Sequence, residues 1–395
     1  MMPTGLPARG GAGAVESGSA PLASGAAWTS AAELDGGTQD CGSGLLLSLT
    51  VAMRAIGQGE VLLLHTAERS VLVDLPAWAR LAGHGLIDVR ADDDRKGPWH
   101  LAIRRGAPAG ASGAARADAA ETASSKGLAF SRGEATPLGR RLWLYSNFHC
   151  NLACSYCCAE SSPQAAPRLM PVDLAARAVD EFVALGGQEV LVTGGEPFLH
   201  PDLGDLVAAV HPKVPVTILT NAMVFGRGAR RRTLESMDRD AVTLQVSLDS
   251  AGPTIHNDNR GAGSHERALE GISLARGLGF RVRVAATVME SDLESVPALT
   301  CLLDEMGIPA EDQLVRPVAA EGFADVGQHI SLDTVEPEPT LTVDGAWWHP
   351  VAVTSGALKV ADQPLPLAEV YDVIRDVLSF QAASSSEGRE VFRCT

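Results

Sequence analysis

A parallel α/β fold is the prediction for most of this 395-residue chain, and three observations carry it. Six short apolar runs, at 142–147, 190–193, 214–219, 242–248, 281–288 and 313–318, alternate with stretches of helical period. Repeated strand–helix units of this kind build a parallel sheet covered by helices. Polar and sulfur-bearing residues follow the runs directly, and function gathers beyond the C-terminal ends of parallel strands. Segments rich in Gly, Ala and Ser set this block apart from a smaller one before it.

Taken in order, residues 1–38 are Gly-, Ala- and Ser-rich and are expected to be a disordered tail. Residues 39–105 form the small block. An amphipathic stretch at 45–56 is followed by Gly59-Glu60 and a strand at 61–65. A second helix begins at Asp74-Leu75-Pro76-Ala77-Trp78 and ends at Gly83-His84. Strands at 86–90 and 99–104 flank the acidic turn Asp92-Asp93-Asp94. Residues 106–140 lack apolar periodicity and read as a flexible linker. In the large block, 141–325, a helix at 171–185 places Leu174, Ala178, Phe182 and Leu185 on one face. Pro171 suits its first turn and Gly186 its cap. Further helical periods lie at 265–278 and 293–306. The last segment, 326–395, holds a hairpin with Asp344-Gly345 at its turn and a helical pattern at 366–380.

Composition narrows the class. A net charge of −16 makes nucleic acid and anionic membrane poor partners. No apolar run reaches the roughly 18 residues of a spanning helix, and the start of the chain lacks a signal-peptide pattern. Seven cysteines, four of them between 150 and 158, suit free thiolates in a reducing cytoplasm better than a disulfide scaffold.

Cys150, Cys154 and Cys157 stand in the spacing Cys-x-x-x-Cys-x-x-Cys. Three thiolates in so short a loop can hold three irons of a 4Fe–4S cluster, for which four cysteines are usual. The remaining iron keeps an open position for chemistry. Zinc is the alternative, but zinc sites complete four Cys or His ligands, and no such set is evident. With Tyr156 just before the last cysteine, the segment resembles the radical S-adenosylmethionine (radical SAM) superfamily, in particular its MoaA/SPASM-like group. The resemblance implies a partial (β/α)6 TIM-like barrel with one 4Fe–4S cluster on Cys150, Cys154 and Cys157. It also implies S-adenosylmethionine on the open iron, cleaved after reduction to a 5′-deoxyadenosyl radical.

Four more motifs follow strand ends. Gly194 and Gly195 of Thr193-Gly194-Gly195-Glu196-Pro197 permit close backbone approach to a ligand, and the resemblance sets them and Glu196 at the methionine end of the cofactor. Thr220-Asn221 and Ser247-Leu248-Asp249 offer polar groups to a ribose or substrate, with helix capping as the alternative. The resemblance puts Ser247 at the cofactor and Asp249 as a second contact. Arg260, in His256-Asn257-Asp258-Asn259-Arg260, is a candidate to hold the cofactor carboxylate in a bidentate pair, against a plain surface ion pair. Arg316 and Glu321 are candidate substrate-facing charges or ordinary solvated groups. Cys158 is taken as a neighbour of the ligands and Cys301 as a core thiol.

The β-α-β-α-β-β order of the small block resembles the TusA-like sulfurtransferase fold. There a cysteine near the first helix carries a persulfide, and Cys41 takes that place, with Gly42 and Gly44 where the family has proline. Backbone N–H groups at a helix start favour a thiolate. A buried structural cysteine is the competing assignment. The C-terminal segment resembles a SPASM or twitch extension. Trp347, Trp348 and His349 stand where a cysteine would be, and Cys394 is alone in the tail. A degenerate extension and a single cluster are therefore expected.

The resulting expectation is a radical SAM enzyme that abstracts hydrogen from a peptide or small metabolite. Its electron donor would be a ferredoxin or flavodoxin, with sulfur transfer through Cys41 as an added option. One rival is a sulfur carrier or iron–sulfur scaffold without radical turnover. Another is a peptide maturase whose small N-terminal block recognises a leader.

Overall fold

The computed structural model describes residues 29–40, 44–92, 97–106 and 138–384. Cys41, Cys394, and most of the expected tail and linker lie outside the described residues.

The small block runs β1 (Ala32–Gly37), α1 (Leu46–Ala55), β2 (Val61–Thr66), α2 (Val71–Leu81), β3 (Gly85–Ala91) and β4 (Trp99–Arg104). Its sheet order is β1-β2-β4-β3, with β1 parallel to β2 and the other pairs antiparallel. Strand β1 falls inside the segment expected to be a disordered tail. Its composition hid it, because the residues that turn toward the core are Ala32, Leu34 and Gly36, which make too small an apolar pattern to read as a strand. The apolar run of β2 supplies the ladder on which it docks. Helix α2 starts ahead of Asp74 and carries Pro76 in its interior. Leu46, Leu49 and Met53 of α1 and Trp78 of α2 share the core with Leu62, Leu64, Leu101 and Ile103 of the sheet.

The large block supplies β5 (Arg141–Tyr145), α3 (Val172–Ala184), β6 (Glu189–Thr193), α4 (Leu203–Val210), β7 (Val216–Thr220) and α5 (Gly228–Ser236). It continues through β8 (Val242–Ser247), α6 (Pro253–Arg260), α7 (Ser264–Gly277), β9 (Arg281–Val288), α8 (Val296–Glu305) and β10 (Gln313–Pro317). Strands β5 to β10 are all parallel and adjacent in chain order. Crossovers between parallel neighbours are right-handed as a rule, which sets the connecting helices against one face of such a sheet and leaves the other to line a site. Val190, Leu191 and Val192 of β6 are fully buried, and so are Val284 and Ala286 of β9. Continuous apolar runs are the mark of strands covered on both faces.

Helix α3 differs in detail from its sequence pattern. Pro171 is its extended N-cap residue and not part of the first turn. The buried face is Ala175, Ala178, Val179 and Phe182, and Leu185 is 41% exposed. Gly186 has φ +90°, the left-handed cap anticipated for it. Cys301 is exposed, not a core thiol. Helix α8 buries Leu299 and Leu303, and a residue two positions from each points roughly 200° away on a helix.

The extension contains β11 (Thr340–Thr342), β12 (Gly345–Trp347), β13 (Lys359–Ala361) and α9 (Leu367–Ser384). Strand β11 joins β5 in parallel, and β12 and β13 follow antiparallel, giving a nine-stranded sheet. Helix α9 packs against α1 and α3, burying Val370, Tyr371, Ile374 and Val377. Arg54 of α1 pairs with Asp376 of α9 at 2.5 Å. Trp348 and His349 are fully buried in the extension. Among the described residues no helix is long and apolar enough to cross a membrane.

Candidate active site

One cavity opens at the C-terminal ends of the parallel strands. Cys150, Cys154, Cys157 and Tyr156 line it, together with Gly194, Gly195, Thr220, Asn221, Ser247 and Arg260. Residues separated by more than 100 positions are brought to one wall by the strand order.

The cysteine loop is held by backbone. Gly195 N–H donates to the Asn147 carbonyl at 3.0 Å, and Glu196 N–H donates to the His149 carbonyl at 3.0 Å. A Cβ on Gly194, whose φ is +145°, would lie 2.4 Å from the Asn147 oxygen, and one on Gly195 would lie 2.2 Å from the His149 oxygen. The close approach that requires this glycine pair is therefore made to the cysteine loop as well as to the cavity. Ser155 N–H donates to the Asn259 carbonyl at 2.9 Å, and Phe323 N–H to the Cys157 carbonyl at 3.0 Å. Gly195→Ala is expected to displace the loop and lower the iron retained after anaerobic reconstitution several-fold, measured per folded chain. Retention equal to wild type would show that the loop is seated by other contacts.

The two carboxylates expected at the cofactor do not line the cavity. Glu196 is fully buried and accepts from Phe198 N–H at 3.1 Å, Thr220 Oγ1 at 2.7 Å and Asn221 N–H at 2.8 Å. It ties the ends of β6 and β7 together, while burial pushes its carboxyl up to about 7. Asp249 accepts from Arg260 Nε at 2.6 Å and Nη2 at 3.0 Å, and from Thr287 N–H at 3.0 Å. The Tyr156 hydroxyl also donates to it. Burial works against the charged form of Asp249, but the Arg260 guanidinium outweighs it and holds the carboxyl below its usual range. The fork of Arg260 is thus engaged by Asp249, although the side chain still borders the cavity. Arg316 also borders it, and Glu321 does not.

The thiol environment suits a cluster. Leu152 N–H points at Cys150 Sγ at 3.4 Å, Ser161 N–H at Cys157 Sγ at 3.3 Å, and Asn221 Nδ2 at Cys150 Sγ at 3.9 Å. Donors aimed at sulfur stabilise ligating thiolates and tune a cluster's potential. Burial, with Glu196 adding to it, pushes the Cys150 thiol up to about 12, and burial raises Cys154 too. Such thiols ionise when metal cations replace their protons. Among the described residues no three His, Cys, Asp or Glu side chains converge on a single ion. A cluster does not need that convergence, since each thiolate takes a different iron, whereas mononuclear zinc does.

Beneath the cavity, His256 is 1% exposed and its Nδ1 accepts the Asp249 N–H at 3.1 Å. Burial, with Arg260 adding to it, pushes its imidazole down to about 4. The folded state therefore keeps His256 neutral where an unfolded chain, near 6.5, is protonated. Its contribution to stability is complete above pH about 6.5 and is lost as pH falls toward 4. Wild type is expected to lose about 1 kcal/mol more unfolding free energy than His256→Asn between pH about 7.5 and 5.5. Equal pH slopes in urea titrations would contradict this.

Sequence reasoning missed Thr287, Pro317 and Val351, all on the cavity wall. Thr287 obeys the strand-end rule already applied to Ser247 and was within reach. Val351 had no local signal, because its position depends on how the extension packs.

Residues 145–292 match the model of the Radical SAM superfamily. The GTP 3',8-cyclase of Streptomyces coelicolor is 35% identical over 147 residues, 35% of this chain and 42% of that protein. The antilisterial bacteriocin subtilosin biosynthesis protein AlbA of Bacillus subtilis is 29% identical over 165 residues, covering 41% of this chain and 36% of that protein. The AdoMet-dependent heme synthase of Nitratidesulfovibrio vulgaris is 26% identical over 164 residues, covering 41% and 44%. The chain thus spans less than half the length of each of these relatives. Three thiols on one cavity and a glycine pair gripping their loop fall inside the stretch that matches the Radical SAM superfamily, whose enzymes use a 4Fe–4S cluster and S-adenosylmethionine, and Cys150, Cys154 and Cys157 are the residues here that would hold such a cluster.

Proposed function

We propose that this domain cleaves S-adenosylmethionine reductively at a single cluster and directs the resulting 5′-deoxyadenosyl radical to abstract hydrogen from a peptide or small metabolite. The observation that carries the reading is the convergence of Cys150, Cys154 and Cys157 with strand-end groups on one cavity. In it the three cysteines would hold iron. Gly194, Gly195, Asn221 and Ser247 would present backbone and polar groups to the cofactor. Thr287 and Arg316, at the ends of β9 and β10, are the groups left to meet substrate. Glu196 and Asp249 act behind this wall, fixing the strand ends, Tyr156 and the Arg260 side chain that borders the cavity. A low-potential donor of the ferredoxin or flavodoxin class would supply the electron.

The small block we assign to the TusA-like fold, supported by its β-α-β-α-β-β order. Sulfur transfer would fall to Cys41, outside the described residues. We assign 326–395 to a degenerate SPASM/twitch-like extension, supported by Trp348 and His349 filling its interior.

The test is 5′-deoxyadenosine formation by anaerobically reconstituted protein with dithionite and S-adenosylmethionine. Formation that requires the reductant is the expected result. Absence of product from a chain carrying a full cluster would refute the reading and favour an iron–sulfur scaffold.

A further inference from the structure

A second cavity lies on the other side of the loop that follows β7. Asn221 faces the cofactor cavity, whereas Ala222–Gly226 line this second groove. It is the larger of the two, about 680 Å³ against about 200 Å³. Phe225 and Leu274 contribute an apolar floor, and Arg227, Arg230, Arg231 and Arg267 stand around it with a single acid, Glu270. Arg231 is paired with Glu235 at 2.6 Å. Arg227, Arg230 and Arg267 make no ion pair or side-chain hydrogen bond with any described residue. In a chain of net charge −16, three unneutralised guanidiniums around one concavity run against the bulk charge.

We propose that this groove binds a small ligand bearing an oligophosphate, at a site separate from the cofactor cavity. Guanidinium forks match phosphate oxygens in bidentate pairs, with more geometric specificity than ammonium groups. The volume falls in the range of roughly 300–1,000 Å³ typical of small-molecule sites, and a concave wall suits a compact anion better than a flat protein surface. The alternative is a set of solvated arginines with no ligand, and binding distinguishes the two. The proposal does not depend on radical turnover.

Inorganic tripolyphosphate is the probe, titrated calorimetrically into the full chain at about 50 mM and about 200 mM salt. The expected result is saturable binding of one equivalent, weaker at the higher salt. The triple variant Arg227→Ala/Arg230→Ala/Arg267→Ala should weaken it at least about 10-fold with the thermal midpoint unchanged. Because these side chains are exposed, the variant is expected to fold, and circular dichroism checks that. No saturable binding up to about 1 mM, or equal affinity in the triple variant, would overturn the proposal. So would displacement by S-adenosylmethionine, which would assign the anion to the cofactor cavity.

Discussion

Replacing any one of Cys150, Cys154 or Cys157 by alanine is expected to reduce bound iron from about four per chain to near none and to abolish 5′-deoxyadenosine formation. The effect is large because the three thiols are not interchangeable supports. Each sits in its own surroundings on one loop, with N–H donors aimed at Cys150 and Cys157. Losing one leaves a second iron unligated in a cavity that offers no carboxylate on its wall. Cys158 borders the same cavity, so Cys158→Ala is the control and should retain both iron and activity. Loss of the cluster in Cys158→Ala, with retention in one of the other three, would reassign the ligand set. Iron analysis and the ultraviolet–visible spectrum of the reconstituted variants read this directly.

Asp249→Ala is expected to cost about 3–5 kcal/mol of stability, the range for breaking a buried ion pair by removing one partner. The Asp249 side chain is fully buried and that of Arg260 is 9% exposed, so the guanidinium would be stranded without its counter-charge. The Tyr156 hydroxyl and the Thr287 N–H would lose their acceptor at the same time. Asp249→Asn keeps an acceptor and removes the charge, and should fall between the two. Urea unfolding of the three proteins at neutral pH measures the order. A loss below about 1 kcal/mol, the scale of an exposed pair, would show that Arg260 reaches water when its partner is removed.

Local pattern carried much of this fold. The six apolar runs became six parallel strands, because residues such as Val190, Leu191 and Val192 have no polar face to expose. The place of strand β1 was not legible, since its pairing depends on β2 and its own composition is acidic and glycine-rich. The α3 face was misplaced around Leu185, where periodicity allows two neighbouring stripes and tertiary packing selects one. At the site, spacing singled out the cysteines, and the glycine pair was singled out by its resemblance to a family motif one strand after the cysteine loop. It did not reveal that Glu196 and Asp249 turn inward, because a carboxylate next to a ligand-binding motif and one that braces the motif look the same in sequence. Only the donors around each, Thr220 and Asn221 in one case and Arg260 and Thr287 in the other, separate the roles.

The central claim is that one iron of a cluster in this cavity has a position open to S-adenosylmethionine. Low-temperature electron paramagnetic resonance of the reduced, reconstituted chain tests it most directly. The account predicts a reduced-cluster signal whose g values shift when S-adenosylmethionine is added, and no such signal in Cys154→Ala. A full-intensity cluster signal that saturating S-adenosylmethionine leaves unchanged would contradict it.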